Sequence, residues 1–298
     1  MNDPLPTLRP GARVGIFAPS HSFNPERLQR GLAVLESWGF EPVPSPNLNA
    51  EYRWLAGTDA QRLSDLQWAL SDPGLDAAWM ARGGSGLGRL LEGVDWSQVR
   101  RRPVVGFSDG TSLHIALRQR IGLAGVHGPV ITSLGDTTDA ESTDALRALL
   151  RGASPGEMTG RVLIEGEASG PLVGGNLAVV ATLCGTRDQL DARGCVLLFE
   201  DIGEHGYRID RTLRQLASAG VFEGIAGVAL GEFLKCPMPA DDTLDVILRE
   251  VFGELGVPVI ADLPVGHGPA NRAFRFGERC LLRAGADGGR LSWEAPLV

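Results

Sequence analysis

A serine stands where a buried run gives way to a helical pattern. Pro103-Val104-Val105 leads into Gly106-Phe107-Ser108-Asp109-Gly110, and Thr111 to Leu117 follow with helical apolar spacing. On a sharp strand-to-helix turn a serine hydroxyl is exposed, with the helix N-terminus behind it, and small neighbours relieve the crowding of its backbone. The alternative is an ordinary N-cap serine. As a nucleophile Ser108 needs a base to take its proton and an acid to orient that base. Glu200 ends the apolar run Val196-Leu197-Leu198-Phe199, where a carboxylate is costly unless partnered; the competing reading is a helix cap or a surface ion pair. Asp201 points to the other side of a continuing strand. His267, in the glycine-flanked Pro264 to Pro269 loop after a strand, and His127, in His127-Gly128-Pro129, compete for the base. His114 falls on the helix after Ser108 and suits an orienting or core role, whereas His21 and His205 read as solvated loop residues. The order serine, acid, histidine is also that of α/β-hydrolases.

The glycine loop Arg82-Gly83-Gly84-Ser85-Gly86 lacks the G-x-G-x-x-G spacing, because Arg89 takes the last glycine's place, and no P-loop signature occurs. Its better use is an oxyanion hole, since glycine lets backbone N–H groups approach an acyl oxygen; a tight turn is the bland reading.

Positioning these groups falls to alternating strands and helices. Arg13 to Ala18 reads as a strand, and Asn24-Pro25-Glu26 opens a helix with a cap, a first-turn proline and an acid. Strands follow at 40–43 and 76–81, with a helix capped by Thr58 between them. Asp139 to Leu150 is a further helix. This half predicts a parallel sheet with ligands beyond the carboxyl ends of its strands, where Ser108 and the Gly83-Gly84 loop both lie. Beyond Arg151 to Gly156, strands are expected at 162–164, 170–173, 196–199, 228–230 and 258–261, and helices after Asn176, at 207–219 and at 241–252. The domain reading is 1–150 carrying the nucleophile, a linker at 151–169, and 170–298 carrying acid and base.

At 298 residues two domains are expected, and 43 % hydrophobic residues suit a globular chain. A net charge of −8 argues against a nucleic-acid partner, and Arg100-Arg101-Arg102 reads as a solvated turn. No apolar segment is long enough to span a bilayer, and Met1 to Pro6 lacks a signal-peptide pattern, so the expected address is cytoplasmic. Cys184, Cys195, Cys236 and Cys280 show no C-x-x-C spacing; they read as buried thiols, with neither a metal site nor a disulfide framework.

Several motifs together resemble the LD-carboxypeptidases, the serine peptidase family of muramoyl-tetrapeptide carboxypeptidases and microcin C self-immunity proteins. They are Ala81-Arg82-Gly83-Gly84, Gly106-Phe107-Ser108-Asp109, Gly174-Gly175-Asn176-Leu177, Phe199 to Glu204, Tyr207-Arg208-Ile209-Asp210-Arg211 and Gly266-His267, in order along nearly the whole chain. The resemblance implies an α/β fold: a flavodoxin-like N-terminal domain and a smaller, swivelling α/β C-terminal domain. It implies a Ser108, Glu200, His267 triad and an oxyanion hole from the N–H groups of Asp109 and the Gly83-Gly84 loop, leaving His127 to line the substrate pocket. It further implies a homodimer using no metal or cofactor. The expected reaction is hydrolysis of an amide after an L-configured centre, in murein tetrapeptide with release of D-Ala or in a peptidyl or aminoacyl nucleotide. An α/β-hydrolase-type esterase and a non-catalytic small-peptide-binding protein are the alternatives. Ser85, Gly110 and Phe274-Arg275-Phe276-Gly277 depart from the family pattern, none at a triad position.

Overall fold

A computed structural model describes residues 5–239 and 243–293. The chain runs β1 (Arg13–Phe17), α1 (Pro25–Ser37), β2 (Glu41–Pro44), α2 (Asp59–Ser71), β3 (Ala77–Met80), β4 (Val104–Gly106), α3 (Thr111–Ile121), β5 (Val126–His127) and α4 (Ala140–Leu150). It continues through β6 (Met158–Ile164), β7 (Gly166–Asn176), α5 (Leu177–Thr182), β8 (Val196–Ile202), α6 (Gly206–Ser218), β9 (Gly227–Leu234), α7 (Leu244–Phe252) and β10 (Val259–Ala261). It ends with β11 (Phe274–Arg275), β12 (Arg279–Gly285) and β13 (Gly288–Trp293). Two compact units result: Met1–Ser154 with Arg272–Arg275, and Pro155–Asn271 with Phe276–Val298.

In the first unit the strand order is β11-β5-β4-β3-β1-β2, parallel from β1 to β5, with β11 added antiparallel on β5. This is a doubly wound sheet whose order reverses between β1 and β3, where such folds take their ligands. The local signals act as their chemistry requires. Asn24 accepts from the N–H groups of Glu26 and Arg27 to start α1, and Thr58 forms a reciprocal capping box with Gln61 to start α2. The strands β3 and β4 are buried throughout, as expected of strands with helices on both faces.

The second unit is the smaller one and carries α5, α6 and α7 beside its strands, as expected of an α/β domain. It is a closed barrel, β10-β6-β13-β12-β7-β8-β9, in which β7, β8, β9 and β10 pair in parallel and the remaining neighbours antiparallel. β6 and the start of β7 occupy residues expected to form a linker. β12 and β13, a hairpin absent from the sequence expectation, complete the barrel. Their alternating burial around a turn at Ala286-Asp287 is a hairpin signal, though a weak one beside the long apolar runs elsewhere. Helix α7 begins at Leu244 behind the cap Thr243; Asp241 and Asp242, expected within it, and Met1 to Pro4 lie outside the described residues. Among the described residues no helix is long and apolar enough to cross a membrane. Arg102 corrects the solvated-turn reading: it is buried and donates to the Asp72 carbonyl at 2.7 Å. All four cysteines are free, with Cys195 and Cys280 buried but Cys184 and Cys236 only half-buried.

Candidate active site

Ser108 sits on a sharp turn between β4 and α3. Phe107 is extended, Ser108 adopts φ of +61°, and the backbone enters the helix at Thr111. A non-glycine residue in this left-handed region costs on the order of 1–3 kcal/mol and persists only where the surroundings enforce it. Enforcement is visible. The Gly106 carbonyl accepts from the Gly128 N–H at 3.2 Å and from His114 Nε2 at 2.8 Å, fixing the end of β4. A β-carbon on Gly106 or Gly110 would stand 2.5 or 2.8 Å from Met80 Sδ, so a side chain at either place would displace the end of Met80. Gly110, one of the departures from the family pattern, thus packs on Met80. Ser108 itself is half-buried.

The loop after β3 packs directly on the serine. A β-carbon on Gly83 would lie 2.9 Å from Ser108 Cβ and 3.0 Å from its Oγ. Asp109, next in sequence, turns its side chain away from solvent. Its Oδ2 accepts from Ser20 Oγ at 2.6 Å and from the Leu87 N–H at 2.9 Å. One buried carboxylate thus ties the loops after β1 and β3 to the Ser108 turn. Burial pushes its carboxyl upward, and the Ser20 and Leu87 hydrogen bonds and the Arg62 charge oppose that. Arg62, also buried, donates to the carbonyls of Pro19, Gly57 and Gly86 and pairs with Asp59. Neither brace was anticipated. Their only sequence signal was a Pro-Ser pair and a glycine loop at the carboxyl ends of β1 and β3. His21, expected to be merely solvated, has Nε2 3.0 Å from Ser85 Oγ, and burial followed by the Arg82 and Arg62 charges lowers its pKa.

His114 and His127 are enclosed in the first unit. Burial drives His114 down to about 4, against the opposing Gly106 hydrogen bond, so the ring is neutral and donates from Nε2. His127 is fully buried, stacked 4.7 Å from Phe274 and edge-on to Phe107 at 5.9 Å. The ring packs against Phe107, the residue before Ser108. Phe274, another departure from the family pattern, is its stacking partner.

In the second unit Glu200 and His267 come together. Glu200 Oε2 lies 2.6 Å from His267 Nδ1, with side-chain exposures of 0 % and 15 %. Glu200 lies near the carboxyl end of the parallel strand β8, opposite a bulge: Phe199 pairs Leu230 and Asp201 pairs Phe233, leaving Gly231 and Glu232 facing one residue. A β-carbon on Gly231 would stand 2.2 Å from the Val265 carbonyl and 3.1 Å from Glu200 Cβ, so glycine admits the His267 loop to the strand. For His267 the largest single influence is burial, which lowers its pKa. The Glu200 hydrogen bond and the charges of Glu200, Asp201 and Glu232 together outweigh burial and raise the pKa above the ordinary 6.5. With Nδ1 facing the carboxylate, the hydrogen bond fixes the tautomer that carries its proton on Nδ1. Asp201 points the other way, accepting from Asn176 Nδ2 and the Ala178 N–H at the start of α5. His205 is exposed, as expected. Among the described residues no group of three or more His, Cys, Asp or Glu converges as for a metal ion.

Residues 14–128 match the LD-carboxypeptidase N-terminal domain and residues 169–282 the C-terminal domain. A putative carboxypeptidase of Streptomyces coelicolor is 40 % identical over 98 % of this chain and 96 % of its own length. The murein tetrapeptide carboxypeptidase of Pseudomonas aeruginosa is 35 % identical, covering 94 % and 95 %. Among solved structures, the microcin C7 self-immunity protein MccF in complex with aspartyl sulfamoyl adenosine superposes with a TM-score of 0.88 over 99 % of both chains. At 19 % identity, that is a likeness of fold.

Proposed function

We propose that this chain, which belongs to the LD-carboxypeptidase family, is a metal-independent serine carboxypeptidase that trims murein tetrapeptide. The observation that supports it most is the 2.6 Å bond between a fully buried Glu200 and His267. A carboxylate with no solvent exposure is retained only where a partner compensates for it, and an imidazole so held is an oriented base.

In this reading Ser108 from the first unit and the Glu200–His267 pair from the second act on one substrate. Ser108 Oγ bonds to the scissile carbonyl carbon as its proton passes to His267 Nε2. The backbone N–H groups of Asp109 and of the Gly83-Gly84 loop receive the oxyanion, with the N-terminal end of α3 behind them. Collapse breaks the carbon–nitrogen bond, and His267 returns the proton to the departing amine. Water, deprotonated by the same imidazole, then hydrolyses the ester and frees Ser108. Glu200 keeps the tautomer and stabilises the transient imidazolium. A flavodoxin-like nucleophile domain, a swivelling second domain, a homodimer and a cytoplasmic address belong to the same reading.

Murein tetrapeptide is preferred because the relative named for it shares 35 % of its residues with this chain, against 19 % for the immunity protein. The test is incubation of purified protein with murein tetrapeptide and, separately, with aspartyl sulfamoyl adenosine, with products identified by mass. Release of D-Ala and tripeptide is expected. Cleavage of the nucleotide alone would move the assignment to the immunity-protein branch, and cleavage of neither would defeat the reading.

A further inference from the structure

The loop that packs on Ser108 begins with an arginine. Arg82 immediately precedes Gly83, whose α-carbon comes so close to the serine that no side chain fits between them. Its guanidinium is exposed and donates to the Ser22 carbonyl. Among the described residues no carboxylate pairs with it. Its neighbours in the same unit are provided for: Arg27 and Arg30 both pair with Asp136, and Arg62 and Arg89 both pair with Asp59. Partial burial, and then the charge of Arg27, disfavour the Arg82 cation as the unit stands. A chain with a net charge of −8 thus keeps an uncompensated guanidinium one residue from the contact with its nucleophile.

Such a cation is relieved by an incoming anion, and a planar guanidinium with further N–H donors suits a carboxylate. A carboxypeptidase has that anion in its leaving group, since the released amino acid carries its free carboxylate on the carbon next to the departing nitrogen. An aminoacyl sulfamate is also anionic there, its charge shared between the scissile nitrogen and the neighbouring sulfonyl oxygens. We infer that Arg82 receives the anionic group of the leaving portion of the substrate and so restricts cleavage to the last residue of a chain. The inference rests on the carboxypeptidase reading above. Arg82 is a specificity-determining group in it, not a participant in proton transfer.

The test compares murein tetrapeptide with its C-terminal amide on wild type and Arg82→Gln. Charge-assisted hydrogen bonds of this kind are worth about 10- to 150-fold in binding. Wild type is expected to lose about that factor in kcat/KM when the carboxylate is amidated. Arg82→Gln should lose it on the free acid while cleaving the amide within about threefold of wild type, and Arg82→Lys should fall between. Because Arg82 also holds Ser22, a disordered loop would lower both substrates together. Equal losses on acid and amide, or a wild type indifferent to amidation, would overturn the inference. Aspartyl sulfamoyl adenosine separates the two anions: a loss confined to tetrapeptide assigns the carboxylate, and an equal loss on the nucleotide assigns the sulfamate. A wild type that cleaves neither substrate refutes the carboxypeptidase reading itself, an outcome distinct from intact cleavage with unchanged discrimination.

Discussion

The two units put their chemistry in the same topological place and hold it by opposite means. Ser108 follows β4, Glu200 lies near the carboxyl end of β8 and His267 follows β10, all of them parallel strands. The first unit stores backbone strain, a serine at φ of +61° with glycine neighbours closing over Met80. The second stores a buried charge, Glu200, offset by one short hydrogen bond. Their histidines diverge accordingly: burial alone prevails at His114 and pulls it to about 4, whereas carboxylates overcome burial at His267 and raise it. Ser108 is thus held by an enforced backbone, and His267 by an oriented anion.

Removing either half of that arrangement should have the largest effect. Ser108→Ala and His267→Ala are each expected to lower kcat by about 10⁴- to 10⁶-fold with circular dichroism unchanged, because groups that act as a unit fail as a unit. A folded Ser108→Ala protein with wild-type turnover would end the serine assignment. His127→Ala should keep its chemistry and lose stability instead, since its ring is core packing against Phe274 and Phe107.

Glu200→Gln tests the second unit's charge alone. It preserves shape, so the expected loss is about 10⁴-fold, as when a base loses its tautomer control. The pH profile gives a sharper reading. A general base works when neutral, so wild-type kcat/KM should rise with pH through a value above 6.5, and in Glu200→Gln that limb should move down. Stability runs the other way. The raised pKa means that this pair's contribution is full below about 6.5 and fades as pH rises through the folded value. An unmoved limb in Glu200→Gln would separate Glu200 from the base.

Much of this was legible because the signals are local. A strand, a small-residue turn and a helix around Ser108 can be read within fifteen residues, and so can the caps Asn24 and Thr58. An acid ending the apolar run Val196 to Phe199 could be read as partnered, since burial without a partner is costly. What local pattern could not give was pairing at a distance. The bulge at Gly231-Glu232 that accommodates Glu200 depends on register between strands thirty residues apart. The closure of the barrel by β12 and β13, and the return of β11 to the first sheet, depend on partners more than a hundred residues away. Asp109 was read only for its backbone, because nothing in the sequence showed its side chain reaching Ser20 and Leu87.

The first unit's buried histidine offers a test of intermediate size. His114 must charge when the protein unfolds in acid but is held neutral when folded. Stability should therefore fall as pH drops from about 6.5 toward 4, by on the order of 3 kcal/mol at full expression. Urea melts across that range, compared with His114→Gln, measure it. The slope should flatten in the variant, whose amide can still donate to the Gly106 carbonyl. An unchanged slope would place the acid sensitivity elsewhere.

The smallest expected effect isolates the strain. Replacing Ser108 by alanine removes the hydroxyl but keeps a β-carbon in the left-handed region, so stability should match wild type. Glycine removes the steric cost of about 1–3 kcal/mol at this φ but adds about 0.5–1 kcal/mol of chain entropy. Ser108→Gly should therefore be more stable than Ser108→Ala by about 1 kcal/mol, a rise of about 2–4 °C in Tm, although both are inactive. Calorimetry on the pair decides it. If the two melt together, the strain at Ser108 is no larger than the chain entropy that glycine adds; if glycine melts higher, the first unit carries a backbone cost at this turn.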